Sequence, residues 1–132
     1  MSKSIPIREL LKNGCVEASA PCRIDMGGTL DLSTFYLSLR TYRPCTFNIA
    51  LDLRTTVTVK PGSAGITRIK SSGFEPSAFP LSQAHFDHPL GLMFAIANYF
   101  DADGVEITIA SASPPRSALG GSSSAAVALA AA

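Results

Sequence analysis

The sequence has few cysteines, little excess charge and no long hydrophobic run, and each of these absences excludes a class of protein. Cys15, Cys22 and Cys45 are odd in number and lack the paired spacing of a zinc site, so they predict neither a disulfide framework nor a structural metal. The net charge of +1 argues against a nucleic-acid or membrane-surface partner. No apolar segment approaches the roughly 20 residues of a membrane span, and the first residues lack a signal-peptide core. We therefore expect a cytoplasmic protein.

The apolar content is nevertheless sufficient for one packed domain, because 46% of the 132 residues are hydrophobic. Between residues 46 and 60, apolar and polar residues alternate, which predicts one long bent strand or two strands with one buried face. The residues expected on that face are Phe47, Ile49, Leu51, Leu53, Val57 and Val59. Residues 66–70 predict the second arm of a hairpin with this segment, residues 71–83 a surface loop, and residues 105–110 another alternating strand.

Helices are predicted on either side of these strands. Residues 4–13 favour a short helix and residues 89–100 a longer one, while residues 15–20 and 22–26 predict extended segments around Pro21. In the longer helix the apolar residues at helical spacing, which we expect in the core, are Leu90, Met93, Phe94 and Ala97. This order of elements predicts an α+β fold, with one mostly antiparallel sheet and helices packed on one side.

Residues 114–132 have the composition of a tight turn that leads into a helix. Pro114 ends the preceding strand, Gly120 and Gly121 permit close approach to the backbone, and residues 122–124 are serines, which favour helix starts. The alanine-rich run that follows has high helix propensity. The first amide groups of such a helix have no partner and lie at its positive end, which suits a phosphate group, and a serine hydroxyl could ligate Mg²⁺.

Two better-known nucleotide motifs do not match this turn. The Walker motif needs a lysine after its last glycine, and no lysine follows Gly121; the dinucleotide motif needs three glycines at its own spacing. The alternative is a capped packing helix after an ordinary glycine turn. Local composition leaves both interpretations open.

The turn resembles the Pro-x-x-Gly-Leu-Gly-Ser-Ser-Ala-Ala phosphate loop of the GHMP kinases. The resemblance, which implies contact with the phosphates of ATP, is carried by Pro115, Ala118, Leu119, Gly120, Gly121, Ser122, Ser123 and Ser124. Ala118 stands where the family most often has its first glycine, Gly121 where it often has its first serine, and Ser123 and Ser124 where it often has alanine. Ser122 falls on the second serine of the motif, which implies a place at the β- and γ-phosphates and the Mg²⁺ ion.

Residues 20–31 carry a second resemblance, to the Ala-Pro-x-Arg segment near the start of galactokinases and heptose kinases of the same family. It implies that Arg23 stabilises charge at the transferred phosphoryl group. The guanidinium suits this role because it stays charged and offers several donors to a phosphoryl oxygen. It also implies that Gly28, Thr29 and Asp31 contact the substrate, although the span from Arg23 to Asp31 is one residue shorter than in these relatives. From the residues alone, Arg23 could be a strand-end surface charge and Asp31 a helix cap.

Together the two segments imply the N-terminal, ATP-binding domain of a GHMP kinase, with a fold like the second domain of ribosomal protein S5. The implied activity is phosphoryl transfer from Mg-ATP to a hydroxyl of a small molecule. A sugar is favoured because relatives that act on mevalonate or homoserine tend to carry lysine near this start. In the family a catalytic aspartate lies well after the phosphate loop, so we expect a C-terminal domain to be absent here and residues 1–132 alone to be inactive. The alternative is a non-catalytic S5-like module that binds RNA or a protein.

His85 and His88 form a His-x-x-His pair, which can be a metal site when both residues share a helical face. Here Pro89 predicts that a helix begins after His88, so His85 lies in the preceding coil, and no third ligand is evident. We expect no metal at this pair.

Overall fold

The computed structural model describes residues 5–12, 14–26, 37–43, 45, 47–114 and 117–132. Within them the helices are α1 (Ile7–Leu11), α2 (Gly91–Tyr99) and α3 (Gly121–Ala131). The strands are β1 (Val16–Met26), β2 (Phe47–Pro61), β3 (Thr67–Ser71), β4 (Ser77–Phe79) and β5 (Val105–Ser111). Short 3₁₀ turns occupy Arg40–Tyr42, which follows the helical residues 37–39, and Leu81–Gln83.

The five strands form one sheet in the order β1-β2-β5-β3-β4. The pair β3 and β5 is parallel, and the other neighbours are antiparallel. The predicted hairpin between residues 66–70 and β2 is therefore wrong: β5 pairs with β2 and places β3 one strand further away. The predicted surface loop at 71–83 is also partly wrong, because it contains β4 and the turn at Leu81–Gln83.

The two extended segments predicted around Pro21 are one continuous strand, β1, whose register with β2 shifts between Pro21 and Arg23. Proline has no amide hydrogen to give to a ladder, so it is tolerated in strands mainly at edges and irregularities. β1 meets both conditions, since it is the outermost strand of the sheet next to β2.

The core lies between the sheet and helices α2 and α3. Its buried members include the four residues predicted from the spacing in α2, which confirms that prediction: Leu90, Met93, Phe94 and Ala97. The predicted buried face of β2 is correct only in its second half, where Val57 and Val59 are buried, whereas Phe47 is 62% and Ile49 44% exposed. β5 pairs with β2 only from Thr55 onward, so the covered part of the sheet begins there.

Together these elements confirm the predicted α+β fold with a largely antiparallel sheet. α1 is shorter than predicted, and it packs Ile7 and Leu11 against the core. Across the described residues, we find no helix with the length and apolarity needed to traverse a lipid bilayer.

Candidate functional site

The chain turns sharply just before α3. Ala118 and Gly120 have φ angles of 58° and 71°, in the left-handed region. Glycine adopts this conformation readily, whereas an L-residue such as alanine does so at a cost of about 1 kcal/mol. Between them, the carbonyl oxygen of Leu119 accepts a hydrogen bond of 3.2 Å from the backbone amide of Arg23. The turn is therefore attached to the outer edge of β1.

The first amides of α3 have no acceptor within the helix. Gly120 is the N-cap residue, and among the residues that the structure describes no side chain caps the helix; the amide of Ser124 donates to the carbonyl oxygen of Gly120 at 2.9 Å. Residues 121–123 precede that bond, and the first amides of a helix lack an intrahelical partner. The first turn also contains no acidic residue. This end of the helix dipole therefore favours an anion.

The three serines of α3 differ in their surroundings. Ser122 and Ser123 are exposed, whereas Ser124 is 6% exposed. The hydroxyl of Ser124 lies 2.9 Å from the carbonyl oxygen of Pro21 and 3.1 Å from that of Gly120. Its only proton is thus used inside the protein, and its side chain attaches α3 to β1. The phosphate contacts expected of Ser122, Ser123 and Ser124 stay predictions, and the Ser124 side chain has no further proton to give to a phosphate oxygen.

A cleft of about 640 Å³ opens beside the turn. One wall is formed by residues 117–123 with the first turn of α3, and the opposite wall by residues 71–74 together with residues 89–93. The floor consists of the strand residues Thr55, Ile109 and Ser111, and of Ser113, which follows the end of β5. This volume is in the range of small-molecule sites, which combine apolar walls with a few converging polar groups.

A second cavity, of about 260 Å³, lies near the C-terminal end of α3 and has a different lining. Every residue around it is apolar, including Ile7, Phe100 and Leu129. A cavity without converging polar side chains offers little to orient a substrate. The cleft beside the turn is therefore the candidate site.

The cleft floor holds a chain of three hydroxyl groups. Thr55 Oγ1 lies 3.0 Å from Ser111 Oγ, which lies 3.0 Å from Ser113 Oγ. Thr55 is fully buried, and it faces Ser111 directly across the β2–β5 pair. Ser111 is exposed and Ser113 half-buried; Ser113 is at the end of the chain of hydroxyls away from Thr55, and its oxygen lies 3.2 Å from the place that a Cβ atom would occupy on Gly121. The sequence interpretation did not include these residues.

Arg23 lies beside the turn at the edge of β1. Its Cγ atom is 3.9 Å from the position of a Cβ on Gly120, and its side chain is 51% exposed. Its guanidinium is 3.7 Å from Asp25 Oδ2, and among the described residues Asp25 Oδ1 is a buried oxygen without a hydrogen-bond partner. The structure thus brings Arg23 next to the turn before α3, while its catalytic role and the phosphate contacts of the turn stay predictions.

His88 has a structural role in these contacts. Its Nδ1 atom accepts a 3.0 Å hydrogen bond from the amide of Leu90, and its Nε2 atom lies 3.1 Å from the hydroxyl of Ser77. The rings of His85 and His88 each pack edge-on against Phe79. Both ring nitrogens of His88 are therefore engaged within the protein.

Four of the predicted site residues lie outside the described residues: Pro115, Gly28, Thr29 and Asp31. The site residues that the sequence did not single out lie on the opposite wall and on the floor of the cleft. One signal for Thr55 was available in the sequence. Thr55 occupies the face of β2 that carries Leu53 and Val57, where a polar residue interrupts the apolar pattern.

No protein-family model and no curated protein sequence matches the chain. Solved structures do match. A D-glycero-D-manno-heptose 1-phosphate kinase from Bacteroides thetaiotaomicron aligns with 86% of the chain at 22% identity and a TM-score of 0.71. The mevalonate kinase of Methanococcus jannaschii aligns with 89% at 14% identity and a TM-score of 0.65. The fold is that of the N-terminal domain of the GHMP kinases.

A third structure, Lactococcus lactis galactokinase complexed with galactose, aligns with 90% of the chain at 16% identity and a TM-score of 0.64. These similarities confirm the fold that the two sequence segments implied. The chain spans 39% of the heptose-phosphate and mevalonate kinases and 31% of the galactokinase. It therefore corresponds in length to a minor part of each GHMP kinase.

Proposed function

We propose that the chain forms the ATP-binding part of a small-molecule kinase, which transfers a phosphoryl group from Mg-ATP to a hydroxyl of a sugar or sugar-like substrate. The observation that carries this proposal is the open beginning of α3, where the amides of residues 121–123 face a cleft without a capping side chain. Phosphoryl transfer depends mainly on positioning the phosphates and on neutralising their negative charge. The amides at the start of α3 can contribute to both.

The two walls of the cleft suit the two ends of a nucleotide. The turn and the start of α3 provide amides for phosphate oxygens. The opposite wall includes Phe74 and Leu92, which are 49% and 52% exposed and offer apolar surface to a flat base. A ligand with an anionic tail and an aromatic head therefore fits the cleft better than a uniformly polar one.

A magnesium ion fits the donor set at this site. Mg²⁺ usually keeps several waters and takes only one or two protein oxygens in addition to those of the phosphates. Ser122 is exposed and lines the cleft in the first turn of α3, so its hydroxyl suits such a sparse set. When bound, the ion would neutralise charge on the β- and γ-phosphates. Arg23 would add a fixed positive charge beside the turn.

The acceptor is proposed to be a sugar, with Gly28, Thr29 and Asp31 as its contacts. Support comes from the motif that contains Arg23 and from solved structures whose names include a heptose 1-phosphate kinase and a galactokinase bound to galactose. A mevalonate kinase has a similar score, so an acceptor of that class is the alternative within the fold. In the family that the chain resembles, a catalytic carboxylate follows the phosphate loop, and we propose that residues 1–132 tested by themselves show no robust ATP-dependent phosphorylation in a steady-state assay.

Calorimetric titration of Mg-ATP tests the nucleotide part of this proposal. Gly121→Val would place a branched side chain against Ser113 Oγ, where even a Cβ atom would lie at 3.2 Å, and we expect it to abolish measurable binding. Ser122→Ala removes one donor, so we expect about a threefold to tenfold loss of affinity. Ala130→Val adds the same branched residue at an exposed position of α3, away from the cleft, and serves as the control.

A non-catalytic module that binds RNA or protein is the second candidate for this fold. It predicts that Gly121→Val and Ser122→Ala leave nucleotide affinity at the wild-type value, or that the wild type does not bind Mg-ATP at all. Either result contradicts the kinase proposal.

A further inference from the structure

We propose that Ser113 is a further phosphate-binding residue of the cleft, and that the buried hydroxyl of Thr55 sets the direction in which Ser113 donates its proton. This inference rests on the proposed function, because it adds a side-chain donor to the same nucleotide site. It follows from the three hydroxyls of the cleft floor and from the surroundings of each.

The buried end of the hydroxyl chain has only one place for its proton. Thr55 is 0% exposed, and among the described residues its hydroxyl has a single hydrogen-bond partner, Ser111 Oγ at 3.0 Å. A buried hydroxyl that does not donate leaves an unsatisfied proton, at a cost of about 1–3 kcal/mol. Thr55 therefore donates to Ser111 rather than accepting from it.

The direction of the next hydrogen bond follows from the groups around Ser111. Its oxygen accepts from Thr55, and it also accepts from the backbone amide of Ser113 at 3.3 Å. A hydroxyl oxygen has two acceptor sites, so both are occupied. The remaining role of Ser111 is to donate its own proton to Ser113 Oγ, 3.0 Å away.

Ser113 is consequently left with a proton that no described residue accepts, at the end of the chain of hydroxyls away from Thr55. Ser113 lines the cleft, and its oxygen lies 3.2 Å from where a Cβ atom of Gly121 would be. Its hydroxyl thus lies next to Gly121, the first residue of α3. Because it already accepts from Ser111, it presents a donor, which matches a phosphate oxygen. Thr55 is a positioning residue that acts through Ser111.

Affinities for Mg-ADP and for adenosine, measured by NMR titration of the full chain, test this assignment. Ser113→Ala removes the donor, and we expect about a tenfold loss of Mg-ADP affinity with adenosine affinity unchanged, because adenosine has no phosphate. Ser63→Ala, at an exposed serine in the turn after β2, is the control and should change neither affinity. An equal loss for both ligands, or no loss for Mg-ADP, would overturn the assignment.

Thr55 is tested by substitutions that keep or remove its hydroxyl. Thr55→Val has the same shape but no proton to donate, so Ser111 is free to turn and we expect about a threefold loss of Mg-ADP affinity. Thr55→Ser should restore the wild-type value. In the double variant with Ser113→Ala, the valine should add no further loss, because its effect passes through Ser113. Independent, additive losses would show that Thr55 does not act through Ser113.

The outcomes separate this inference from the proposed function. A wild-type protein that binds no Mg-ADP contradicts the kinase proposal itself. A wild type that binds Mg-ADP, together with a Ser113→Ala variant that binds it equally well, leaves the kinase proposal standing and overturns the role of Ser113 alone.

Discussion

Helices α2 and α3 both begin with a glycine, yet the backbone amides at the two helix starts differ in their hydrogen bonds. At α2, the amide of Leu90 donates to His88 Nδ1, that of Gly91 to the carbonyl oxygen of His88 at 2.7 Å, and that of Met93 to the carbonyl oxygen of Leu90 at 3.0 Å. At α3, the first amide with such a bond to a described residue is that of Ser124. One helix start is thus closed by the protein and the other is left open to the cleft.

The two glycines show what this difference means physically. A side chain on Gly91 would overlap the backbone carbonyl of Phe86, so glycine is needed there for packing. Within the described part of the chain, a Cβ on Gly121 would meet only the hydroxyl of Ser113, at 3.2 Å. Glycine at the start of a helix therefore indicates that another group comes close to the helix backbone. The neighbouring residues show whether that group is the protein's own backbone or can be a ligand.

The largest expected effect is at the closed start. Gly91→Ala drives a methyl group into the Phe86 backbone, which cannot move without shifting the chain, and we expect about 3 kcal/mol of lost unfolding free energy. Urea denaturation measures it, with Asn98→Ala at an exposed position of α2 as the control. Gly121→Ala should change stability by less than about 1 kcal/mol, because alanine favours the helix. Equal losses at both glycines would contradict the distinction.

The next effect concerns the side chain that closes α2. His88→Ala removes the acceptor for the Leu90 amide and the partner of Ser77, and we expect about 1–2 kcal/mol of lost stability because a half-buried amide is left without a partner. Nucleotide affinity should stay at the wild-type value, because the substitution acts on stability and leaves the α3 amides in place. A variant as stable as the wild type would show that the imidazole does not support the segment that leads into α2.

A smaller effect on stability, which depends on pH, is expected at Glu106 of β5, the strand between α2 and α3 in the chain. On β5, the hydrogen bond from Lys70 at 2.8 Å, helped by Lys60 at 3.3 Å, lowers the pKa of Glu106 below the ordinary value of 4.5. A lowered pKa stabilises the fold at pH values above the unfolded-state pKa, and that contribution is lost as the pH falls through the folded-state value.

Glu106→Gln should therefore reduce the free energy of unfolding at pH 7 by less than about 1 kcal/mol, since both lysines are partly exposed. The difference from the wild type should shrink as the pH falls below about 4. Urea titrations across this range, with Glu75→Gln as the control for charge, measure it. A difference that stays constant with pH would contradict the ion-pair explanation. Neither α2 nor α3 has an acidic residue in its first turn to add to this dependence.

The smallest effect is expected at the open start. Ala118 has a φ of 58°, so Ala118→Gly removes the left-handed penalty, while glycine adds a similar loss of chain entropy. We expect stability within about 0.5 kcal/mol of the wild type and unchanged nucleotide affinity. Ala118→Val is the contrasting control, because a β-branched residue is strongly disfavoured at positive φ. If valine were tolerated as well as glycine, the described turn would be incorrect.

Local patterns predicted the elements well and their pairing poorly. Helix α2 and strand β5 follow from apolar spacing of 3.6 and 2 residues, and both occur close to their predicted bounds. The partner of β3 could not be predicted in this way, because its parallel pairing with β5 depends on a crossover through α2 and leaves no local signal. Proximity in sequence instead favoured a hairpin with β2.

The same division holds for the candidate site. Gly120 and Gly121 mark the turn, since residue type alone reveals a backbone that an anion can approach. The hydroxyl chain could not be found, because Thr55 and Ser111 are 56 positions apart and meet only through the β2–β5 pairing. The burial of Ser124 was foreseeable, because it lies one helical turn before Ala128, which faces the core.

The backbone hydrogen bond between Arg23 and Leu119 has a consequence for the solubility of variants of the turn. β1 is the outer strand of the sheet beside β2, and an open outer strand is a template on which copies of a protein aggregate. By occupying the Arg23 amide, the turn shields part of that template. Substitutions that loosen the turn would thus promote precipitation as well as weaken ligand binding, and light scattering should accompany every titration.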